Sequence, residues 1–153
     1  MPITIKQGEL DQPDVQALLA FHVAAMQAHS PPEACHVLPG SALSHPAVTF
    51  FTAREDGRLL GFGALKSLGD SEGEVKSMRT DPAALGRGVG RAILMAITAE
   101  ACARGYARLL LETGTTPDFA AALCLYQRAG FVAGDPFGGY PTSHFTRFLR
   151  LEL

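Results

Sequence analysis

The sequence predicts a mixed α/β (α+β) fold, with about six to seven mostly antiparallel strands in one sheet and helices on both faces. Three observations carry that expectation. Apolar runs at Val48–Ala53, Leu59–Ser67 and Glu74–Thr80 are joined by connections short enough to make an antiparallel meander. After Asp81-Pro82 the pattern changes to a helical period over Val89–Arg104, and again around Phe119–Tyr126. Between those helices, Leu109-Leu110-Leu111 is the continuous apolar run of a strand covered on both sides.

The elements follow in order. Ile3 to Lys6 alternates like a short strand. Asp11-Gln12-Pro13-Asp14 has the chemistry of a helix start, with Pro in the entry turn and acids to meet the helix dipole. Val15, Leu18, Leu19, His22 and Met26 form its buried stripe, and Ser30-Pro31-Pro32 stops it. Glu33 to Pro46 is irregular, with room for a short helix. Arg54-Glu55-Asp56-Gly57-Arg58 and Gly69-Asp70-Ser71-Glu72-Gly73 are the turn signals between the meander strands. Val89, Ile93, Ala96, Ile97 and Glu100 lie near one side of the next helix, which Gly105 ends. Arg108–Glu112 is a parallel-type strand. Phe119, Ala122, Leu123 and Tyr126 are the stripe of a helix ending at Gly130. Phe131-Val132 starts a further strand, and His144–Leu153 is the last. Its apolar Phe145–Leu151 suits either a place in the sheet or the interface of a homodimer.

The chain has 153 residues, and its 13 Lys+Arg against 15 Asp+Glu leave a net charge of −2. The length suits a single domain over residues 1–153. The charge excludes a surface built as a cationic glove for nucleic acid or anionic lipid. With 47% hydrophobic and 18% charged residues, the chain can fold around its own core. Cys35, Cys102 and Cys124 have no metal-like spacing and read as buried, reduced thiols of a cytosolic protein. Neither a signal-peptide layout nor a membrane-length apolar run is present, so a soluble, cytoplasmic protein without membrane partners is expected.

The most informative segment is Leu85-Gly86-Arg87-Gly88-Val89-Gly90-Arg91, between a strand and a helix. Its glycines let the backbone turn tightly, and the helix start supplies unpaired N–H donors. Arg87 and Arg91 add positive charge, so the natural ligand is a phosphate or pyrophosphate. The loop is neither a dinucleotide fingerprint, since Arg91 stands where the third Gly belongs, nor a P-loop, since Gly-Lys-Ser/Thr is missing.

Taken with Leu125-Tyr126-Gln127-Arg128-Ala129-Gly130-Phe131, which is like the family's common Leu-Tyr-x-x-x-Gly-Phe phrase, the stretch from Glu74 through Phe131 resembles the GNAT superfamily of acetyl-CoA-dependent N-acetyltransferases. The chain departs from that family at Leu85, where Gln or Arg is usual, and at Phe119, where an Asn is common. The resemblance implies a GNAT-like sheet with a splayed strand pair at the cofactor site and acetyl-CoA as cosubstrate. The strand segment Met78-Arg79-Thr80 would lie along the pantetheine arm, with the Met78 and Thr80 backbone pairing to it. Arg87, Gly88, Val89, Gly90 and Arg91 would hold the pyrophosphate. The reaction expected is direct acetyl transfer to a primary amine of a small molecule. A protein amine, or a silent CoA-binding sensor, is the alternative.

Amine acetylation needs a base for the ammonium and a donor for the departing thiolate. From spacing alone Tyr126 is stripe packing; the resemblance implies that it is the acid. The resemblance, to the histone-acetyltransferase branch in particular, implies Glu74, eleven positions before Leu85, as the leading base; it is read otherwise as a solvated carboxylate at a strand start, with Glu112 second and a water chain third. Cys124, the tempting nucleophile for a covalent route, reads as packing. For the acceptor, the candidates are Glu33, His36, Glu112, Phe137 and Tyr140, with Arg79 suited to a carboxylate and the aromatics to an apolar amine. The seven-residue recurrence of His22, His29 and His36 does not make a metal site, because Pro31-Pro32 breaks any helix between the last two.

Overall fold

The computed structural model describes residues 2–32, 35 and 42–153. Within them lies one seven-stranded sheet in the order β1-β2-β3-β4-β5-β7-β6. The elements are β1 (Thr4–Gln7), α1 (Pro13–His29), β2 (Val48–Glu55), β3 (Arg58–Gly69), β4 (Glu72–Thr80), α2 (Val89–Ala103), β5 (Arg108–Gly114), α3 (Ala120–Arg128), β6 (Val132–Ala133) and β7 (Thr146–Glu152). All neighbours are antiparallel except β4 and β5. The expected meander is β2-β3-β4. Its hairpins close on Asp56-Gly57 and Asp70-Ser71, whose φ angles of 51°, 80°, 53° and 62° give the twist such tight turns need. The apolar last strand lies inside the sheet, between β5 and β6.

Alternation along the strands makes two apolar faces. Phe50, Leu59, Phe62 and Ala64 pack with Val15, Leu18 and Leu19 of α1. Phe51, Leu60 and Leu65 turn the other way, onto Ile93, Leu94 and Ile97 of α2 and Tyr126 of α3. Each fully buried Leu or Ile there contributes about 2 kcal/mol. Close approach of α2 depends on Gly63, where a Cβ would fall 2.7 Å from Ile93 Cγ2. The buried stripe of α2 is Val89, Ile93, Leu94, Ile97 and Ala101. Glu100, placed on that stripe by spacing, instead pairs with Arg104 at 2.9 Å.

Two expectations about thiols are corrected. Cys102 and Cys124 are exposed, because both sit on the solvent sides of their helices, and Cys35 is only half-buried. Among the described residues, no helix is long and apolar enough to cross a membrane.

Candidate active site

The site begins where the sheet divides. β4 and β5 pair only at Glu72↔Arg108, Gly73↔Leu109 and Glu74↔Leu110. Against β3 the register then jumps from Ala64↔Lys76 to Phe62↔Arg79, so β4 carries a bulge at Ser77-Met78. Ser77 has a φ of 55°, a left-handed value that a serine adopts only under constraint. The bulge turns β4 away from β5 and leaves its edge beyond Glu74 without a strand partner. A cleft of about 270 Å³ fills the gap. It is lined by His22 and Met26 from α1 on one face of the sheet, and by Ala122 and Tyr126 from α3 on the other. Side chains from both faces of the sheet therefore border the cleft.

Glu74 is buried, 2% exposed, which corrects the reading of a solvated carboxylate at a strand start. Its Oε2 accepts the Tyr140 hydroxyl at 2.8 Å and lies 3.5 Å from Lys76 Nζ. Lys76 also donates to the Tyr140 oxygen. Spacing missed Lys76, although Glu74 and Lys76, two apart on a strand, share a face. Burial, the Glu74 charge and its hydrogen bond to Glu74 hold the Tyr140 hydroxyl well above the usual tyrosine range.

Glu112, on β5 across the split, lines the same cleft. Burial pushes its carboxyl up to about 7, with Lys76 opposing and Glu74 reinforcing the shift. Tyr126 is buried and meets Phe131 edge-on at 5.7 Å, yet it also lines the cleft. Packing and access are thus compatible at this residue. Burial and then the Glu112 charge push its hydroxyl up to about 12, so it stays protonated at any working pH. Phe119 faces Gly114, where a Cβ would come 2.4 Å from its ring, and meets Phe145 edge-on at 5.4 Å. An aromatic wall stands there in place of the common polar residue.

Arg79 points its Nε at His22 Nδ1, 3.0 Å away, and its guanidinium lies 5.6 Å from the Phe21 ring centroid. Burial and the Arg79 charge push the His22 imidazole down to about 4, so it accepts this bond as the neutral ring. His29 sits 3.4 Å from Asp118. Glu33 and His36 lie outside the described residues. Phe137 meets Tyr140 edge-on at 5.5 Å and backs its ring.

At the far end of β4, Thr80 leads into the glycine loop. The Asp81 side chain accepts from the Ala83 N–H at 2.8 Å and closes the strand. Gly88 is the N-cap of α2 with a φ of 80°, and no side chain caps the helix. Its first N–H groups are therefore available to an anion. Arg91 is exposed in that first turn, whereas Arg87 reaches back 2.5 Å to Glu55. An uncapped helix start, local arginines and an unpaired strand edge fit a pyrophosphate with an amide-bearing arm.

Comparison with known proteins agrees with this geometry. The acetyltransferase (GNAT) family model matches residues 16–131. The uncharacterised N-acetyltransferase YedL of Escherichia coli (strain K12) is 47% identical over 150 residues, covering 98% of this chain and 94% of the relative. The IAA acetyltransferase of Azospirillum brasilense is 38% identical over 126 residues, 80% of each chain. A solved protein of Klebsiella pneumoniae subsp. pneumoniae MGH 78578, provisionally named an acyl-CoA N-acyltransferase, superposes with a TM-score of 0.80 at 27% identity, covering 99% of this chain and 97% of its own. The chain belongs to the acetyltransferase (GNAT) family and is an N-acetyltransferase.

Proposed function

We propose that the protein, acting as one domain over residues 1–153, transfers an acetyl group from acetyl-CoA directly to a primary amine of a small molecule. The observation that carries this reading is that Glu112 and Tyr126 line one cleft, close enough for the Glu112 charge to act on the Tyr126 hydroxyl. One supplies a carboxylate whose pKa of about 7 suits proton removal near neutrality; the other supplies a hydroxyl that keeps its proton.

Acetyl-CoA, when bound, supplies the activated carbonyl and the thiolate leaving group. The Met78 and Thr80 backbone, on the edge released by the bulge, would hold the pantetheine arm and polarise the carbonyl. Gly86, Gly88, Val89, Gly90, Arg87 and Arg91 would cradle the pyrophosphate, Arg87 after leaving Glu55. Glu112 takes the proton from the acceptor ammonium. Tyr126 offers its hydrogen to the sulfur; full transfer from a hydroxyl near 12 to an ordinary thiolate is uphill by roughly 3–4 pH units, so its main contribution is a hydrogen bond to the developing charge. Glu74, fastened to Tyr140 and Lys76, shapes the field around Glu112 and stands second as base. Tyr140 would border the acceptor. Cys124 is exposed and lines no part of the cleft, which favours direct transfer over a covalent route.

Thiol release from acetyl-CoA, measured over a panel of small amines and peptide N-termini, tests the reading. Release with small amines supports it, and release with peptides alone moves the acceptor to proteins. Saturable CoA binding with no thiol release from any amine leaves a silent sensor.

A further inference from the structure

Several basic groups of this molecule meet a carboxylate. Arg54 meets Glu9 and Asp14, Arg104 meets Glu100, and Arg108 meets Glu72. Even the buried Lys76 has Glu74 at 3.5 Å. Arg79 is different. Its half-buried guanidinium is held by a neutral imidazole and a phenyl ring, and among the described residues no carboxylate lies within ion-pair distance. Its Nε is spent on His22, while its two Nη nitrogens bond to none of the described residues. That leaves the end-on fork of the guanidinium, the edge that grips a carboxylate through two parallel bonds. Removing a guanidinium from water without a counter-charge is costly unless a ligand supplies one.

Two further polar groups in the cleft are unspent. Ser30 and Ser77 both line it, and their hydroxyls are buried without a hydrogen-bond partner. Native structures rarely leave such groups unsatisfied. Around them stand the apolar walls of Met26, Phe119 and Phe145.

We infer that the acceptor is a free amino acid, whose carboxylate is taken by Arg79 with help from the Ser30 and Ser77 hydroxyls. His22 and Phe21 position the guanidinium. The inference rests on the acetyl-transfer reading and sharpens it, because a peptide N-terminus offers an uncharged amide where a free amino acid offers a carboxylate. Arg79 is then the residue that separates small acceptors from protein ones.

The test compares each proteinogenic L-amino acid with its own carboxamide in the thiol-release assay, using the wild-type protein, Arg79→Gln and Arg79→Lys. For the best amino acid, kcat/KM should exceed that of its carboxamide by about 100-fold, mostly through KM. Arg79→Gln should collapse this ratio to within about 3-fold, and Arg79→Lys should restore part of it. Equal kcat/KM for acid and carboxamide in the wild type overturns the inference and leaves acetyl transfer standing. So does thiol release with amines that carry no carboxylate while amino acids fail, or an equal loss on both substrates in Arg79→Gln. If no amine releases thiol, the acetyl-transfer reading fails by itself. Calorimetric titration of the same amino acids into CoA-saturated protein then decides: binding abolished by Arg79→Gln supports the carboxylate site, and absence of binding overturns it. Should Arg79→Gln not fold, the wild-type ratio and Arg79→Lys distinguish the same two outcomes.

Discussion

The Tyr140 hydroxyl donates to Glu74 Oε2 across 2.8 Å, fastening the segment between β6 and β7 to the residue at which β4 parts from β5. With Lys76 donating to the same hydroxyl, the Glu74 carboxylate is engaged on two sides. Glu112, across the split, accepts no hydrogen bond from the described residues, and burial alone dominates its shift. Of the two carboxylates in one cleft, one is bound and the other is not, and the proposed mechanism gives the unbound one the proton transfer.

That division predicts distinct variants. Glu112→Gln should lower kcat by about 10²–10⁴-fold and remove a rising limb of the pH–rate profile centred near 7, because the ionised form does the work. Glu74→Gln should keep the limb, moved lower because the Glu74 charge no longer raises Glu112, and should destabilise the protein, since the carboxylate that accepts the Tyr140 hydroxyl and faces Lys76 at 3.5 Å loses its charge. If the limb follows Glu74 and survives in Glu112→Gln, the assignment of the base is reversed.

Stability against pH should show two opposed slopes. The His22 pKa is depressed to about 4, below its unfolded value of 6.5, so the native state binds fewer protons in that window. Its contribution is full above pH 6.5 and is lost as pH falls toward 4. Glu112 is raised to about 7 from 4.5, so the native state holds an extra proton, and stability falls as pH rises between those values. The His22 shift is worth about 3 kcal/mol, and that of the partly exposed Glu112 less. The slopes oppose one another in the wild type. His22→Gln should therefore unmask a decline from pH 4.5 to 7, and Glu112→Gln a decline on acidification below 6.5. Denaturant unfolding at several pH values checks this, and profiles parallel to the wild type in both variants would refute the two shifts.

Gly88→Asp should abolish saturable CoA binding while the far-ultraviolet circular dichroism is retained. No atom lies within 4 Å of the added Cβ, so the fold has room, but the left-handed backbone at φ 80° costs about 1 kcal/mol and the new charge opposes phosphate. Gly88→Ala separates the effects by keeping the strain and omitting the charge, and should weaken binding far less. CoA affinity unchanged in Gly88→Asp would remove the loop from the binding site.

The strand meander, the helix starts and the glycine cradle are legible in the sequence because each depends on neighbours in the chain. Pro13 at a helix entry, Asp56-Gly57 in a hairpin and Gly88 before Val89 announce local geometry. What spacing cannot show is the split between β4 and β5, which depends on a bulge at Ser77, a lone serine within a strand-like run. The same holds for Tyr140, brought 66 positions back along the chain to Glu74. Arg79 and His22 meet only because α1 crosses the face of β3 next to β4. The exposure of Cys124 is equally hidden, because helical spacing defines a face and the neighbours decide which face is buried.

Tyr126 gives the sharpest separation of packing from chemistry. Its ring is enclosed in the core that joins α2, α3 and the sheet, so truncation to Ala would open a cavity and confuse the result. Tyr126→Phe keeps the ring and its edge-on contact with Phe131, removing only a hydroxyl that bonds to none of the described residues. Stability should therefore stay within about 0.5 kcal/mol of wild type, because the ring's packing is kept. If the hydroxyl serves the leaving thiolate, kcat should fall about 10²–10³-fold with CoA affinity unchanged. The loss should shrink when acetyl is presented on a thiol of lower pKa, whose thiolate needs less help. A variant that turns over like the wild type, or that loses rate and CoA affinity in equal measure, assigns Tyr126 to the core alone.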